Sequence, residues 1–468
     1  MMNRLGSIDK ISYSVGSFAW AAKDTCFHYF LFFYYTQLQG LSASLAGLAA
    51  LLALVIDAIS DPIIGHVSDN FKTGKWGRRH PFMIISVVPF CGALIAIFNP
   101  PAELSQTGLF FWYLLMAVAV RSFLTLFTVP HMALGAELSQ DYTERTSIAV
   151  YRNILGYAGG VSIQVSAWFL IIPIATAAGS VVDGYRNVGF YAAFLAMIGM
   201  VVSIWGTRPH IPNLVQTSKL QRSQHWFHAF GEIAGLFRNP SARILLIGNL
   251  VIVSTIGLGN TLLLHMNNFF YGFSENQIGI FMMAVLLALL PASWLSLRGT
   301  QLFGKPRALV YMILGMVVIG PIPVLAHLYG LTPAIGSTGL LLVVCFFIVI
   351  HQSFYISYMN LSSGMVPDVA DELQISSGRR QEGILNSALM LTQKVTFGVG
   401  TFLAGLTIDF ANFEGVVSIA DVTPDMSARL AWVYGPGLSC IGLLGAFIFI
   451  HYRLDQKRYV DIRTQLDG

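Results

Sequence analysis

Long apolar segments recur along the whole chain and are separated by shorter polar connections. A helix needs about 20 apolar residues to cross the hydrocarbon core of a bilayer, and most of the segments reach that length. The pattern therefore predicts twelve membrane-spanning helices. Their predicted ranges are 11–37, 43–68, 81–99, 108–138, 147–175, 188–206, 242–271, 277–297, 307–328, 336–366, 383–411 and 429–452.

The composition supports this prediction and excludes a large soluble protein. Of the 468 residues, 55% are hydrophobic and 11% are charged, and the mean hydropathy is +0.66. These values are typical of integral membrane proteins. The predicted fold class is an all-α membrane protein with twelve transmembrane helices in two six-helix bundles.

Basic residues outside the apolar segments occupy alternate connections. They lie at both termini and after each even-numbered segment, and the opposite connections contain only Arg186 and Arg429. Because Lys and Arg accumulate on the cytoplasmic side of a membrane, both termini are expected to be cytoplasmic. Topology thus explains the basic residues, and no nucleic-acid partner is expected.

The longest connection, 207–241, divides the segments six and six. It predicts an N-terminal bundle over 1–206, a cytoplasmic linker over 207–241, and a C-terminal bundle with a cytoplasmic tail over 242–468. Apolar residues recur in the linker at a spacing of three to four, which is typical of an amphipathic helix at the membrane interface. These residues are Trp226, Phe230, Ile233 and Phe237.

Two aspartates, Asp57 and Asp61, lie four residues apart inside the second apolar segment. A carboxylate in hydrocarbon costs about 3 kcal/mol on insertion scales, and side chains four apart are neighbours on a helix. A bound cation or a shared proton would offset this cost. The pair predicts cation-coupled transport with Na⁺, Li⁺ or H⁺. The alternative is a structural cluster paired with Arg or Lys of another helix.

The residues around this pair favour a hard, oxygen-rich cation site. Ser60 stands beside the aspartates, and Pro62 removes the amide that the carbonyl of Ala58 would otherwise accept from. Pro130 has the same effect in the fourth segment, close to Thr125. Hydroxyl, carbonyl and carboxylate oxygens together suit Na⁺ or Li⁺.

Further charged residues lie within the apolar segments. Side chains of successive helical residues diverge by about 100°, so Lys23 and Asp24 are not expected to pair well, and at least one is expected to face a central cavity. The alternative is a salt bridge with Arg152 or Lys394. Arg121, a further basic residue in the fourth segment, is expected either to snorkel or to pair with a carboxylate, and it is assigned no functional role.

Acidic and basic residues cluster at the predicted cytoplasmic ends of the fourth and tenth segments. These segments occupy equivalent places in a six-plus-six arrangement, so matched clusters suggest a cytoplasmic gate. Ordinary polar loops are the alternative. The predicted gate residues are Asp69, Arg78, Glu137, Arg145, Asp368 and Arg379.

Several motifs resemble one transporter family. Asp57-Ala-Ile-Ser-Asp-Pro-Ile-Ile-Gly65 and Trp76-Gly-Arg-Arg-His-Pro81 resemble the second helix and following loop of the glycoside–pentoside–hexuronide:cation symporters, the melibiose permease-like branch of the major facilitator superfamily. Lys23-Asp24, Val129-Pro-His-Met-Ala-Leu-Gly-Ala-Glu137 and residues 368–383 agree with the same family. The resemblance covers nearly the whole chain.

This resemblance implies specific roles. The family's cation site matches Asp57, Ser60, Asp61 and Thr125. The aspartate that matches Asp24 hydrogen-bonds sugar hydroxyls in the family. Arg152 matches an arginine that faces the substrate, Lys394 matches a lysine near the cation-site carboxylates, and Lys23 joins the candidate solute-binding set. The resemblance also implies a bacterial inner membrane.

The chain departs from the family pattern where relatives recognise sugar. Thr128 stands where many relatives have an acid, and Met132 and Met359 replace tryptophans that enclose sugar in galactoside transporters of the family. A Na⁺-coupled lysophospholipid transporter on the same fold is therefore one alternative, and a non-transporting membrane sensor is another.

Nothing in the sequence resembles a nucleotide site or a nucleophile–base pair, so no enzyme activity is predicted. Transport of a small solute requires no cofactor beyond the coupling cation. The expected partners are the solute, a sugar or glycoside, and membrane lipid, without an obligate protein partner.

Overall fold

The computed structural model describes residues 5–71, 76–139, 141–213, 227–377, 381–413, 415–416, 418–454 and 456–467. The chain divides into two compact units, Met1–Trp226 and Phe227–Gly468. The predicted domain bounds at 206 and 241 stay a prediction.

The first unit is built from helices and short helical turns. A 3₁₀ turn joins α1 to α2, a π turn joins α2 to α3, and a second π turn follows α3, so the chain is helical from Ser7 to Leu38. The helices are α1 (Ser7–Ser14), α2 (Phe18–Thr25), α3 (Leu31–Phe33), α4 (Ala43–Asn70), α5 (His80–Ile97), α6 (Gln106–Glu137), α7 (Tyr142–Ser166), α8 (Ile172–Ala177) and α9 (Val181–Thr207).

The second unit is also helical. Its helices are α10 (Phe227–Leu236), α11 (Pro240–His265), α12 (Glu275–Ala284), α13 (Leu289–Phe303), α14 (Lys305–Ile319), α15 (Pro321–Leu328), α16 (Thr338–Ser377), α17 (Glu382–Phe410), α18 (Pro424–Trp432), α19 (Leu438–Ile450) and α20 (Gln456–Asp467).

Among the described residues, 11 helices are long and apolar enough to cross a membrane. The remaining predicted span, 11–37, corresponds to the helical segment α1–α3. Lys23, Asp24 and His28 lower the hydropathy of that segment, although it is continuous in the structure.

Two predicted bounds are wrong for the same reason. The helix predicted over 188–206 begins at Val181, and the one predicted over 336–366 runs to Ser377. Apolar runs mark the part of a helix that lies in hydrocarbon, whereas the helix itself continues through polar ends. Ser180 begins α9 by accepting a hydrogen bond from the amide of Asp183.

The predicted linker helix is present as α10. Its Leu236 and Ile233 pack against the apolar core of the second unit, whereas Phe237 is exposed. Part of the predicted interfacial face therefore contacts protein. Trp226 and the side chain of Phe230 lie outside the described residues.

Close helix packing in the second unit depends on glycine. Helices α11 and α17 cross where Gly257 faces Gly400, and a Cβ added at Gly400 would lie 2.6 Å from the amide nitrogen of Leu258. Small residues allow membrane helices to approach this closely. Because the opposing atoms are backbone, they cannot move aside as a side chain would.

We expect Gly400→Ala to destabilise the protein by about 1–3 kcal/mol through overpacking. Gly364→Ala on α16 is the matched control, since nothing lies within 4 Å of its added Cβ. That control should be neutral or slightly stabilising because alanine favours helix. Thermal unfolding in detergent measures both, and equal melting temperatures would contradict the predicted close crossing.

Candidate cation and solute sites

Asp57 and Asp61 lie one turn apart on α4 and meet Thr125 of α6. The Thr125 hydroxyl donates to Asp61 Oδ1 at 2.7 Å and lies 3.5 Å from Asp57 Oδ1. Asp57 is buried, and Asp61 is partly buried. The structure therefore brings three of the four predicted cation ligands together around one hydroxyl.

Arg121 joins this cluster, although sequence reasoning gave it no role. Its Nη1 lies 3.4 Å from Asp57 Oδ2, and the two side chains are only 7% and 6% exposed. The alternative interpretation of the aspartate pair required an Arg or Lys from another helix, and Arg121 of α6 is such a partner. Arg121 precedes Thr125 by four residues, so one face of α6 presents both side chains to α4. That spacing is the signal that the sequence offered.

The cluster contains two carboxylates but only one guanidinium among these residues. With both carboxylates ionised, Asp57, Asp61 and Arg121 together have a net charge of −1. Two carboxylates about 5–6 Å apart repel each other by about 3 kcal/mol at an effective dielectric constant near 20. The single guanidinium balances one of them, and one monovalent cation or one proton would balance the other.

Ser60 is the fourth predicted cation ligand. Its hydroxyl donates to the backbone carbonyl of Asp57 at 3.1 Å. The hydroxyl is therefore directed along its own helix, while its oxygen keeps lone pairs that can accept. Thr128 behaves similarly and donates to the carbonyl of Leu124 at 3.0 Å.

Lys23 and Asp24 form an ion pair, so the expectation that they do not pair well is wrong. Both residues lie in α2, so their Cα–Cβ bonds diverge by the angle of a regular α-helix. The flexible four-carbon lysine stem supplies the remaining reach. The side chains are 14% and 20% exposed, and an ion pair is stronger there than in bulk water.

The cation cluster contacts the helical segment that holds this ion pair. The Arg121 guanidinium lies over the ring of Phe27, 4.9 Å from its centroid. Phe27 follows Asp24 by three residues and is therefore one turn away. Asp57, Arg121, Phe27 and the turn bearing Asp24 form a continuous series of contacts.

Arg152 lies on α7 beside an earlier part of the same helical segment. Its carbonyl accepts a hydrogen bond from the Ser17 hydroxyl at 2.9 Å, and its guanidinium lies beside the Tyr13 hydroxyl. Asp24 follows Ser17 by seven residues, or about 10 Å along a helix axis. The structure places the backbone of Arg152 and Asp24 at different levels along this segment.

Lys394, the remaining predicted solute ligand, lies on α17 of the second unit and is partly buried. Its predicted place near the carboxylates of the first unit stays a prediction.

Charged residues pair where the α4–α5 connection meets the end of α6. Glu137 accepts from Arg78 and from Arg79, whose Nη2 lies 3.0 Å away. Arg79 also donates to the Ser68 hydroxyl at 3.3 Å. These contacts join the two ends of the connection to α6.

The other predicted gate residues of the first unit behave differently. Arg145 Nε donates to the backbone carbonyl of Ser139 at 2.7 Å and so helps to fix the α6–α7 turn. The side chain of Asp69 lies outside the described residues, as does Arg379 in the second unit.

The second unit has ion pairs at an equivalent place. Lys305 at the start of α14 lies 2.6 Å from Asp368 on α16 and donates to the carbonyl of Gly364 at 2.9 Å. Glu372, one turn later, accepts from Arg458 at 2.8 Å. In each unit, an acid near the end of a long helix pairs with a base: Arg78 and Arg79 of the α4–α5 connection in the first unit, and Lys305 of α14 and Arg458 of α20 in the second.

The family model described as MFS/sugar transport protein matches residues 12–456. The chain belongs to this family. This match confirms the family that the motifs predicted. It also confirms the prediction that the protein is a transporter rather than an enzyme.

Two relatives show the range of proteins to which this family member is similar. An isoprimeverose transporter of Lactiplantibacillus pentosus is 23% identical, with 93% of this chain and 88% of that protein covered. Sodium-dependent lysophosphatidylcholine symporter 1 of Gallus gallus is 24% identical, with 97% and 88% covered.

A solved structure shows the fold. The crystal structure of a bacterial homologue of the human lysosomal transporter Spinster matches with a TM-score of 0.64 at 13% identity, covering 98% of this chain and 97% of that one. The predicted major facilitator fold is confirmed. This member of the MFS/sugar transport family is a multi-pass membrane transporter.

We expect Asp57→Asn to destabilise the protein by about 3 kcal/mol or more, because it removes the carboxylate that pairs directly with the buried Arg121 guanidinium. Asp61→Asn, the matched control, keeps the ion pair and removes carboxylate repulsion, so its stability should be retained or raised. Combining Asp57→Asn with Arg121→Gln should recover most of the loss.

Thermal unfolding in Na⁺-free buffer measures these variants as a double-mutant cycle. Equal losses in the two aspartate variants, with no recovery in the double variant, would show that the Asp57–Arg121 pair does not contribute.

Proposed function

We propose that this protein is a cation-coupled symporter that imports a sugar or glycoside-type solute by alternating access. The buried cluster of Asp57, Asp61, Thr125 and Arg121 supports the proposal most strongly. It brings two carboxylates and one guanidinium together within membrane helices, where ionisable groups are costly and usually functional.

The coupling cation binds at the Asp61 side of this cluster. The Arg121 guanidinium pairs with Asp57 at 3.4 Å, and the Thr125 hydroxyl donates to Asp61 at 2.7 Å. Carboxylate and hydroxyl oxygens suit a hard cation, and the charge of the cluster suits a monovalent one. Na⁺ and H⁺ are the proposed coupling ions, with Ser60 as a further oxygen ligand.

Coupling to the solute passes through Arg121. A cation beside Asp61 weakens the attraction between the carboxylates and the guanidinium, and the guanidinium rests on Phe27. Phe27 lies one turn from the Lys23–Asp24 pair, so a change at the cation cluster reaches that pair through direct contact. By reciprocity, a solute that engages Asp24 raises cation affinity equally.

The proposed solute ligands are Asp24, Lys23, Arg152 and Lys394. An ionised carboxylate accepts hydrogen bonds from two neighbouring hydroxyls, and a guanidinium donates in a planar fork. Both patterns fit the hydroxyl groups of a sugar. The isoprimeverose transporter among the relatives agrees with this solute class.

The charged pairs at the helix ends form the proposed cytoplasmic gate. Within the first unit it includes Arg78 and Glu137, and within the second Lys305 and Asp368. Asp69, Arg145 and Arg379 complete the proposed set. This assignment places both termini in the cytoplasm and the protein in a bacterial inner membrane.

A lysophospholipid is the second candidate solute. Met132 stands where galactoside transporters of the family enclose sugar with tryptophan, and 49% of its surface is exposed. A flexible apolar side chain suits a lipid chain better than a sugar ring. The lysophosphatidylcholine symporter among the relatives agrees with this candidate.

We expect Na⁺ to raise the melting temperature of the purified protein in a saturable manner, with choline holding ionic strength fixed. Ligand at 100 times its dissociation constant stabilises by about 2.7 kcal/mol. The shift should be lost in Asp61→Asn and retained in Asp183→Asn, the control, whose carboxylate lies on exposed surface at the start of α9. Uptake of isoprimeverose into proteoliposomes should require the same ion.

Other outcomes separate the candidates. Stability that depends on pH through Asp61, without a Na⁺ effect, identifies H⁺ as the coupling ion. Competition by lysophosphatidylcholine rather than by sugars identifies the lipid as solute. Binding without uptake, or no response to either ion or to Asp61→Asn, contradicts the symporter proposal.

A further inference from the structure

The second unit encloses a pocket that none of the proposed sites uses. Its volume is about 130 Å³, and its lining residues come from α11, α12, α14–α16, α19 and the turns beside them. On α14 the first lining residue is Ile313, eight residues after Lys305 and therefore about 12 Å further along the helix. The pocket is therefore remote from the charged pairs of this unit.

Two buried polar groups in this pocket have no partner among the described residues. Asn267 is 1% exposed, and neither its Oδ1 nor its Nδ2 forms a hydrogen bond. Nδ1 of His351 is also buried without a partner. Leaving such a group unsatisfied costs about 1–3 kcal/mol, so these atoms indicate a place built for a hydrogen-bonding ligand.

The rest of the lining is neutral and partly aromatic. Asn260, Gln352, Tyr271 and Tyr434 add uncharged hydrogen-bonding groups, and apolar side chains form most of the remaining wall. The described lining contains no Asp, Glu, Lys or Arg. The volume is roughly ten times the 10–15 Å³ that a single water needs, so the pocket has room for a small ring.

We propose that this pocket binds one small, uncharged, polyhydroxylated ring, such as a neutral monosaccharide or its methyl glycoside. A purely apolar ligand would leave the Asn267 amide unpaired, and a charged ligand would be buried without a counter-ion. A ring with hydroxyl edges and apolar faces satisfies both constraints. This site is separate from the cation cluster and does not depend on cation coupling.

Stability measurements test the unsatisfied amide first. Asn267→Leu should raise the melting temperature, because it replaces an unpaired buried amide with an apolar group of similar size. Asn249→Leu should lower it, because Tyr358 and Ser362 donate to Asn249 at 2.7 and 3.0 Å. Both asparagines are buried on the same helical segment. If Asn267→Leu lowered the melting temperature as much as Asn249→Leu, the result would contradict an unpaired Asn267 amide.

Binding of methyl β-D-glucoside, measured by ligand-observed NMR without Na⁺, tests the site itself. We expect saturable binding to the unaltered protein, at least tenfold weaker binding to Asn267→Leu and to Tyr434→Phe, and unchanged binding to Asn268→Leu. Asn268 is the matched control because its amide donates to the carbonyl of Leu264 at 2.9 Å and does not line the pocket.

One charged probe and one apolar probe complete the test. D-glucuronate and cyclohexane should not compete with the glucoside at this site. Equal glucoside binding in the unaltered protein, Asn267→Leu and Tyr434→Phe would overturn the proposal, as would effective competition by either probe. Because Na⁺ is absent and both variants lie in the second unit, failure here leaves the symporter proposal standing.

Discussion

The charge imbalance at Asp57, Asp61 and Arg121 is the constraint on which the account of this transporter rests. A carboxylate in a membrane helix is costly, and one guanidinium cannot balance two carboxylates on the same helix face. The fold places Thr125 between the two aspartates and Arg121 against one of them. These three charged side chains have a net charge of −1 when both carboxylates are ionised, so the proposed binding of one monovalent cation or proton would bring the set to zero.

The surrounding structure allows that sensitivity to reach the proposed solute groups. Arg121 is buried and rests on Phe27, so it can change position only with its neighbours. The helical segment bearing Phe27 contains π turns, where hydrogen bonding is less regular than in an α-helix and which are frequent at functional sites. This contact between the charged cluster and the helical segment is the physical basis of the coupling that we propose.

Much of the fold could be predicted from the sequence because hydrocarbon imposes a simple rule on side chains. The apolar segments identified the helices, and the two aspartates stood out because carboxylates are rare in such segments. Helix ends were less predictable: α9 begins at Val181 and α16 runs to Ser377 because helical hydrogen bonding continues where apolarity ends. The Lys23–Asp24 pair was missed because the divergence of successive side chains was considered without the reach of the flexible lysine side chain.

The role of Arg121 and the pocket around Asn267 depend on contacts between distant parts of the chain. A basic residue in an apolar segment gives no sign of its partner, although its spacing from Thr125 offered a clue. No local pattern distinguishes the unpaired Asn267 from the paired Asn249. The hydroxyl that pairs with Asn249 belongs to Tyr358 on another helix, which the sequence near Asn249 does not reveal.

Equilibrium Na⁺ binding to the purified protein and to Arg121→Gln tests the central claim most directly. The account predicts one Na⁺ per chain, and at least tenfold tighter binding in the variant, since removing the guanidinium changes the cluster charge from −1 to −2. Unchanged or weaker binding in Arg121→Gln would contradict the claim that this arginine balances part of the cation site.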